Sequence, residues 1–489
     1  MLAIPLLAGC SGLGQWYQNG FKVGPNYSAT PANVAESWID SNNPHLHSAP
    51  PDNFCWWTAF GDPTLNRLIA ESSEQNLTLK EAGCRILEAR AQRGVAVGNL
   101  FPQQQEATGQ YSRNVMSANA YPFNLIVLPQ YYYDNWSVGT DAAWELDFWG
   151  RFRRGVEAAD ANLDAQVEGY DNVLVLLQAE VASNYIQMRA AEERKELAQK
   201  NIDLQKETLR IVTLRQQQGL VTELDVEQAI TNLGTTEALL PSLLAVQRRT
   251  QNRLCILTGK PPYRLAELIG SPGVIPTPPH EVVVGIPAEL LRRRPDVRQA
   301  EREAAAQSAQ IGIAEAEFYP HIAITGTIGL EAENTSQLFE SSSLMAGIGP
   351  GIHWNILNYG RIKSNVAAAD ARFQQAVINY RDVVLRANEE VENGIIGFLT
   401  EQDRLKALDK SARAAAKSVD IAMLQYEKGL ISYQPLLDSQ RALVQQQDAV
   451  TESRGLVGID LVAVYKALGG GWQARLSANL PQATTAAPR

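Results

Sequence analysis

The sequence Trp144-Glu-Leu-Asp-Phe-Trp-Gly-Arg151 recurs 210 residues later as Trp354-Asn-Ile-Leu-Asn-Tyr-Gly-Arg361. The same spacing relates Gly219-Leu220-Val221 to Gly429-Leu430-Ile431, and it relates Gly259 to Gly469. A repeat that covers most of a chain of 489 residues indicates one structural unit built twice, rather than two unrelated domains.

Ahead of each tryptophan the sequence alternates between larger apolar and small or polar residues. A period of two is typical of β-strands with two different faces. The alternation predicts strands at about 103–115 and 134–146 in the first repeat, and at about 321–331 and 345–355 in the second. Trp144 and Trp354 fall on the apolar face, where an aromatic side chain suits the boundary between membrane and water.

After each Gly-Arg pair the chain runs without proline, from 151 to 218 and from 361 to 428. A helix of that length spans about 100 Å and needs lateral partners, as in a coiled coil. Gly219 and Gly429 are predicted to end the two runs and to form hairpin turns. Second helices then return through 222–257 and 432–467, and a further helix is predicted at 62–101.

The four predicted strands cannot close a membrane barrel alone. Membrane-spanning sheets must close, because an open edge leaves backbone groups unpaired in hydrocarbon. Known barrels begin at about eight strands. Either the sheet lies outside a membrane, or several chains pool their strands, and the small, polar second face favours pooling around a water-filled lumen. No run of 18 or more apolar residues is present, so a membrane crossing would need strands.

The N-terminus ends a short apolar stretch in Leu7-Ala8-Gly9-Cys10. Small residues before a cysteine predict a lipoprotein signal peptide at residues 1–9 and lipidation of Cys10; the alternative is a buried cysteine in a short helix. Cys55, Cys84 and Cys255 remain, an odd number that argues against a disulfide framework, and Cys84 and Cys255 are expected to be small buried residues.

Composition and motifs argue against two other classes of function. The net charge of −10 and the lack of a basic stripe argue against nucleic-acid binding. The five histidines are scattered, without metal-ligand spacing, and no nucleophile or phosphate-loop motif occurs. We therefore expect no enzyme activity, no metal and no cofactor other than the covalent lipid.

Several longer motifs resemble those of the TolC/OprM-like outer-membrane efflux channels, in the lipoprotein branch called NodT-type. They are Leu7 to Cys10, Lys22-Val23-Gly24-Pro25-Asn26-Tyr27, Trp56-Trp57, Phe60-Gly61-Asp62-Pro63, Trp144 to Arg151, Ile286-Pro287, Leu290 to Asp296, and Leu468-Gly469-Gly470-Gly471-Trp472. The resemblance implies an α+β membrane protein with four transmembrane strands per chain. A trimer would form a 12-stranded β-barrel continuous with a periplasmic α-helical barrel.

The resulting organisation has six parts. They are a signal peptide (1–9), a lipid-anchored N-terminal segment (10–61), a first efflux repeat (62–260), an equatorial linker (261–287), a second efflux repeat (288–472) and a disordered tail (473–489).

The resemblance implies export of drugs and other small molecules from the periplasm across the outer membrane of a Gram-negative bacterium. The expected partners are two further copies of the chain, outer-membrane lipid, a periplasmic adaptor and an inner-membrane pump of the resistance–nodulation–division class or a similar transporter. The alternatives are a type I protein-secretion conduit and a structural lipoprotein without a pore.

The resemblance also places a periplasmic gate near the turns at Gly219 and Gly429. Asp225 and Tyr426 match positions that link one coiled coil to the other; alternatively, Asp225 caps the returning helix. Asp438 matches one of two acidic positions that ring the constriction, and the other position is Pro435 here. The alternative for Asp438 is an exposed helix residue.

Overall fold

The computed structural model describes residues 14, 16–31, 34–47, 55–117, 119, 132–263, 269–270, 273–279, 281–287, 292–473 and 475. The helices are α1 (Pro63–Gln75), α2 (Leu77–Gly98), α3 (Arg151–Gln217), α4 (Glu223–Glu237), α5 (Leu239–Leu257), α6 (Pro295–Ala316), α7 (Arg361–Glu427) and α8 (Tyr433–Ala467). The strands are β1 (Leu46–His47), β2 (Gln104–Val115), β3 (Tyr132–Leu146), β4 (Val282–Val283), β5 (His321–Ala332) and β6 (Leu344–His353). In this part of the chain, every helix is too short or too polar to cross a membrane.

The chain forms two compact units, and each contains segments of both repeats. The first unit comprises the described residues of Met1–Pro31, Ile86–Gln166 and Ala300–Tyr380, and the second those of Ala32–Arg85, Val167–Gln299 and Arg381–Arg489. Cys10, the predicted signal peptide and nearly all of the predicted tail lie outside the described residues.

Helix ends follow local capping chemistry. The Asp62 carboxylate accepts hydrogen bonds from the first backbone N–H groups of α1, and Pro63 occupies the first helical position. The sequence predicted a single helix over 62–101, and this was wrong at one point. Asn76 ends α1, and its side-chain oxygen accepts from the Leu79 N–H at 2.9 Å and so caps α2.

The two long helices have the same length, and their ends lie at equivalent positions of the two repeats. Both α3 and α7 contain 67 residues, which corresponds to about 100 Å at the α-helical rise. The returning helices differ: α8 is continuous, whereas the predicted helix over 222–257 is divided into α4 and α5 at Ala238. Pro241 explains the break, because it lacks the N–H that would bond to the carbonyl four residues earlier.

A four-stranded antiparallel sheet lies in the first unit, in the order β2-β3-β5-β6. The pairing of β3 with β5 joins the two repeats, with Trp144 opposite Ile324 and Asp141 opposite Thr327. Among the described strands, β2 and β6 each pair on one side only. The sheet therefore has two open edges.

The register aligns the two chemical faces across all four strands, because directly opposed residues share a face. One face is apolar and uncovered, and Ile348 is 84% exposed and Ile328 is 55% exposed. The opposite face carries small and polar residues: Glu106, Thr108, Ser137, Gly139, Asp141, Thr325, Thr327, Gly347 and Gly349.

The repeated tryptophans make the same hydrogen bond in each repeat. The indole N–H of Trp144 donates to the carbonyl of Leu100 at 3.2 Å, and that of Trp354 donates to the carbonyl of Phe318 at 3.0 Å. Leu100 and Phe318 each precede an aromatic–proline pair. Trp354 lies one residue beyond β6, so the second repeat's returning strand ends earlier than the predicted residue 355.

Residues 20–24 lie on the first turn of α3, within the first unit. Two arginines hold this segment by donating to four backbone carbonyl groups: Arg153 to Gly20 and Phe21, and Arg154 to Val23 and Gly24. Arg154 is fully buried, and Lys22 pairs with Glu157. The segment is therefore fixed against the N-terminal end of α3.

The main apolar core lies in the second unit. It combines the tryptophans before α1 with buried faces of α1, α3, α5, α7 and α8. Trp38 donates from its indole N–H to the Gly285 carbonyl at 3.1 Å. None of the three described cysteines forms a disulfide within the described residues, and Cys255 is buried as expected. Cys84 is exposed, so its predicted burial was wrong; it lies on an outer face of α2.

Candidate functional site at the helix turns

The two long helices end in the same hydrogen-bonded turn. Gly219 and Gly429 have φ of 73° and 74°, a left-handed conformation that favours glycine. In each turn the glycine N–H and the following leucine N–H donate to carbonyls of the last helical turn at 2.9 Å. This Schellman motif satisfies carbonyls that a helix end leaves unpaired. Gly219 and Gly429 thus end the two long helices in turns of the same geometry.

A small apolar cluster, which we call the turn cluster, packs directly beside these turns. It contains Val212, Ala229, Ala422, Tyr426, Tyr433, Leu436 and Leu437. The rings of Tyr426 and Tyr433 meet edge to face, with centroids 5.9 Å apart. Both residues are 1% exposed, and within the described part of the chain neither hydroxyl has a hydrogen-bond partner. A buried, unpaired hydroxyl costs roughly 1–3 kcal/mol.

Arg215 connects the ends of the two long helices. Its guanidinium carbon lies 4.5 Å from the centroid of the Tyr426 ring, and one of its nitrogens donates to the Glu427 carbonyl at 2.9 Å. A basic residue at a helix end binds the terminal carbonyls favourably. The sequence analysis missed Arg215 and Tyr433. A basic residue in the last turn before a capping glycine would have indicated the first.

Asp225 is a helix cap within the chain. Its carboxylate accepts from the backbone N–H of Thr222 at 2.9 Å and from the Thr222 hydroxyl at 2.8 Å. The residue thus completes a capping box at the start of α4. The hydrogen bond expected between Tyr426 and Asp225 is not formed within one chain, because the Tyr426 hydroxyl has no partner and Asp225 is turned to its own cap. The gate role of both residues stays a prediction.

The second turn has a weaker cap. Ser432 starts α8 without a side-chain capping bond, since Pro435 occupies the position that carries Asp225 in the first turn and has no N–H. Asp438 is exposed on α8 and accepts from the Gln434 amide at 3.0 Å. The structure therefore places Asp438 near the turns and outside the buried cluster, which fits either of the two roles considered for it.

Electrostatics around the turn cluster keep both phenols protonated. Burial raises the pKa of Tyr433 to about 12, and the charge of Asp225 acts in the same direction. Burial also raises the pKa of Tyr426, against the opposing positive charge of Arg215. At neutral pH both side chains are therefore neutral phenols, which can each donate or accept a hydrogen bond. In the described part of the chain, no set of three or more His, Cys, Asp or Glu side chains is arranged to hold a metal ion.

Comparison with known proteins covers nearly the whole chain. Residues 68–260 and 286–470 match the family described as outer membrane efflux protein. Nodulation protein T of Rhizobium leguminosarum bv. trifolii is 30% identical over 425 residues, which cover 86% of this chain and 88% of that protein. The cation efflux system protein CusC of Escherichia coli O6:H1 is 28% identical over 459 residues, covering 93% of this chain and 96% of the relative.

A solved structure of the outer-membrane channel OprN superposes with a TM-score of 0.85 at 32% identity, covering 92% of this chain and 99% of that chain. The long helices, the four strands and the two turns thus belong to an architecture already seen in channel proteins. With both repeats matched to one family, the chain is a member of the outer membrane efflux protein family, whose relatives form outer-membrane efflux channels of Gram-negative bacteria.

Proposed function

We propose that three copies of this chain form one outer-membrane channel that exports small molecules from the periplasm as the outer part of a tripartite pump. The observation that carries this proposal is the sheet, which has two open edges and an uncovered apolar face. An open edge cannot remain in hydrocarbon, because its backbone groups would be unpaired. Pairing β6 of one copy with β2 of the next closes a cylinder of twelve strands.

The two faces of the sheet support this assembly. The apolar face suits contact with lipid, and the small and polar face suits a water-filled lumen. Trp144 and Trp354 lie at the helix end of their strands, where the indole rings would meet the membrane boundary. The helices then continue as a periplasmic tunnel.

The cargo proposed for the channel is a small molecule rather than a folded protein. The name of one relative, a cation efflux system protein, supports this choice. A periplasmic adaptor and an inner-membrane pump of the resistance–nodulation–division class or a similar transporter would complete the pathway. Lipid on Cys10 would anchor the trimer, and incorporation of labelled palmitate that is lost in Cys10→Ser would establish that anchor.

The turns form the periplasmic gate in this proposal. Asp225 and Tyr426 would exchange polar contacts between neighbouring hairpins, and Asp438 would contribute one carboxylate per copy to the opening. The buried and unpaired Tyr426 hydroxyl supports this role, since a new partner would lower its free energy. Such a bond to a carboxylate contributes about 1.5–3 kcal/mol, which a docking partner can offset.

The channel proposal is tested with protein purified from outer membranes in detergent. Native mass spectrometry should show three copies, and planar bilayers should show discrete conductance steps. A strain lacking this chain should accumulate more of the exported drug, and deletion of each candidate pump in turn should identify the partner. A monodisperse monomer that stays soluble without detergent or lipid would refute the proposal.

The gate is tested with the double variant Asp225→Ala and Tyr426→Phe, which should raise single-channel conductance. Tyr433→Phe is the control for removal of a buried phenol beside the same turn. Thr222→Val is the control for loss of the capping contact, because it leaves the Asp225 carboxylate in place. Equal conductance in the double variant and both controls would remove Asp225 and Tyr426 from the gate.

A further inference from the structure

The helices contain a buried polar layer next to the turn cluster. We call it the amide layer, and it comprises Gln205 and Thr208 of α3, Asn232 of α4 and Gln440 of α8. These side chains are 3%, 1%, 5% and 1% exposed. Measured along their helices, the four residues lie roughly 16–21 Å from the glycine turns. The amide layer therefore lies within the length of the helices, away from the solvated turns at Gly219 and Gly429.

The amide layer is only half satisfied. Gln440 donates from its amide nitrogen to the Thr208 hydroxyl at 2.8 Å, and Thr208 donates to the Leu204 carbonyl at 3.0 Å. Four other buried atoms have no partner within the described residues: Nε2 and Oε1 of Gln205, Nδ2 of Asn232 and Oε1 of Gln440. Buried amide groups are normally paired, so four unpaired atoms in one layer are unusual.

Another buried amide shows that this chain can pair such groups. Asn201 lies one helical turn from Gln205 on α3 and is 6% exposed. Its Nδ2 donates to Oε1 of Gln447 at 2.8 Å. Asn201 on α3 and Asn232 on α4 are thus the same buried side chain in two states, one with a hydrogen-bonded nitrogen and one with an unpaired nitrogen. Other buried amides, such as Gln178 and Asn388, leave one carbonyl oxygen unpaired, whereas Gln205 leaves both amide atoms unpaired within the described residues.

The amide layer also lies between two apolar clusters of the second unit. The turn cluster and the main core are separate apolar clusters. On α3 the last residue of the main core is Ala190 and the first fully buried residue of the turn cluster is Val212; Ala198 and Ile202 are buried between them without joining either cluster. On α8 the clusters are separated between Leu437 and Val457, an interval in which Leu443 and Val450 are buried. Apolar packing resists sliding because each side chain fills a fixed space. An underpaired polar layer offers several hydrogen-bonding arrangements of similar free energy.

We propose that the amide layer is the joint about which the turn end of the hairpins moves when the gate opens. The inference rests on the proposed channel function and adds the place of the motion. The turn cluster moves as a packed body, and the layer exchanges its hydrogen bonds. An arrangement that pairs the amides of Gln205 and Asn232 offsets part of the free energy needed to separate the gate contacts.

The test removes the unpaired amides without changing side-chain size, through Gln205→Met and Asn232→Leu in the full-length trimer. The matched control is Asn201→Leu, the same chemical change at a paired amide. Backbone hydrogen exchange is followed by mass spectrometry in peptides 205–220 and 425–440. Exchange should slow about five-fold or more in the two layer variants, because the unpaired groups are gone. It should accelerate in Asn201→Leu, which leaves Gln447 unpaired.

Conductance in planar bilayers gives the second readout. The layer variants should open less often than wild type, while Asn201→Leu should not. Exchange that accelerates in Asn232→Leu as in Asn201→Leu would overturn the inference, and so would slower exchange with unchanged opening. Wild-type trimers without any conductance would instead contradict the proposed channel function, and the exchange measurements alone would then decide whether the layer is a joint.

Discussion

Replacing Gly429 with alanine tests whether the hairpin turn depends on backbone conformation alone. The glycine has φ of 74°, and a Cβ built on it meets no atom within 4 Å. Steric contact therefore contributes nothing, and the whole effect is the cost of holding an L-residue in the left-handed region. That cost is roughly 1–2 kcal/mol. Gly219, with φ of 73° and the same open surroundings, should respond equally.

The measurement is hydrogen exchange of the peptide 424–436 in detergent-solubilised protein. A loss of 1–2 kcal/mol in local stability should accelerate exchange roughly 5–30-fold. Gly234→Ala is the matched control, because Gly234 lies inside α4 and is equally open. There the same substitution should stabilise by about 0.5–1 kcal/mol and slow exchange in peptide 223–237. The reasoning fails if both variants change exchange in the same direction or if Gly429→Ala leaves it unchanged.

Three further outcomes follow from the helix ends and the buried carboxyl groups. Pro435→Asp should give Ser432 a capping carboxylate like the one that Asp225 gives Thr222 in the first turn. It should stabilise the second turn by about 1 kcal/mol and slow hydrogen exchange there. Arg215→Met should remove the hydrogen bond to the Glu427 carbonyl and accelerate hydrogen exchange in peptide 424–430 by about five-fold. Unchanged exchange would show that this hydrogen bond does not stabilise the end of α7. Burial raises the pKa of Asp460 from 3.8 to about 6. The folding stability that the protonated Asp460 carboxyl contributes is therefore fully present below pH 3.8 and is lost as the pH rises through about 6. Asp460→Asn should therefore unfold at a higher temperature than wild type near pH 8 and at the same temperature near pH 3.5, as measured by circular dichroism.

Much of the fold was predictable because its determinants are local. A period of two placed the strand ends within two residues, and glycine at the end of a long proline-free run placed the two turns. The helix breaks at Asn76 and Ala238 were missed, since a single capping side chain or proline interrupts an apolar pattern without erasing it. The exposure of Cys84 was missed because burial depends on which face of α2 meets other elements.

The candidate site was less predictable because its contacts are not local. The family resemblance predicted that Asp225 and Tyr426 contact each other. In the structure, Asp225 instead accepts a hydrogen bond from Thr222, and the Tyr426 hydroxyl is unpaired within the described residues. The role of Arg215 depends on the end of α7 lying beside the end of α3, which the 210-residue spacing alone does not show. Likewise, unpaired amides are visible only once every neighbour of a buried side chain is known.

The two open edges of the sheet have a consequence for biogenesis. In the proposed assembly, each chain carries two strands of 12 and 10 residues, each with one side available for hydrogen bonding, before it pairs with further copies. Exposed strand edges are templates for pairing with other chains, whether correct or foreign. Correct strand pairing between copies then competes with aggregation. The yield of assembled protein should therefore depend on its rate of synthesis and on periplasmic holdase chaperones that cover the strand edges.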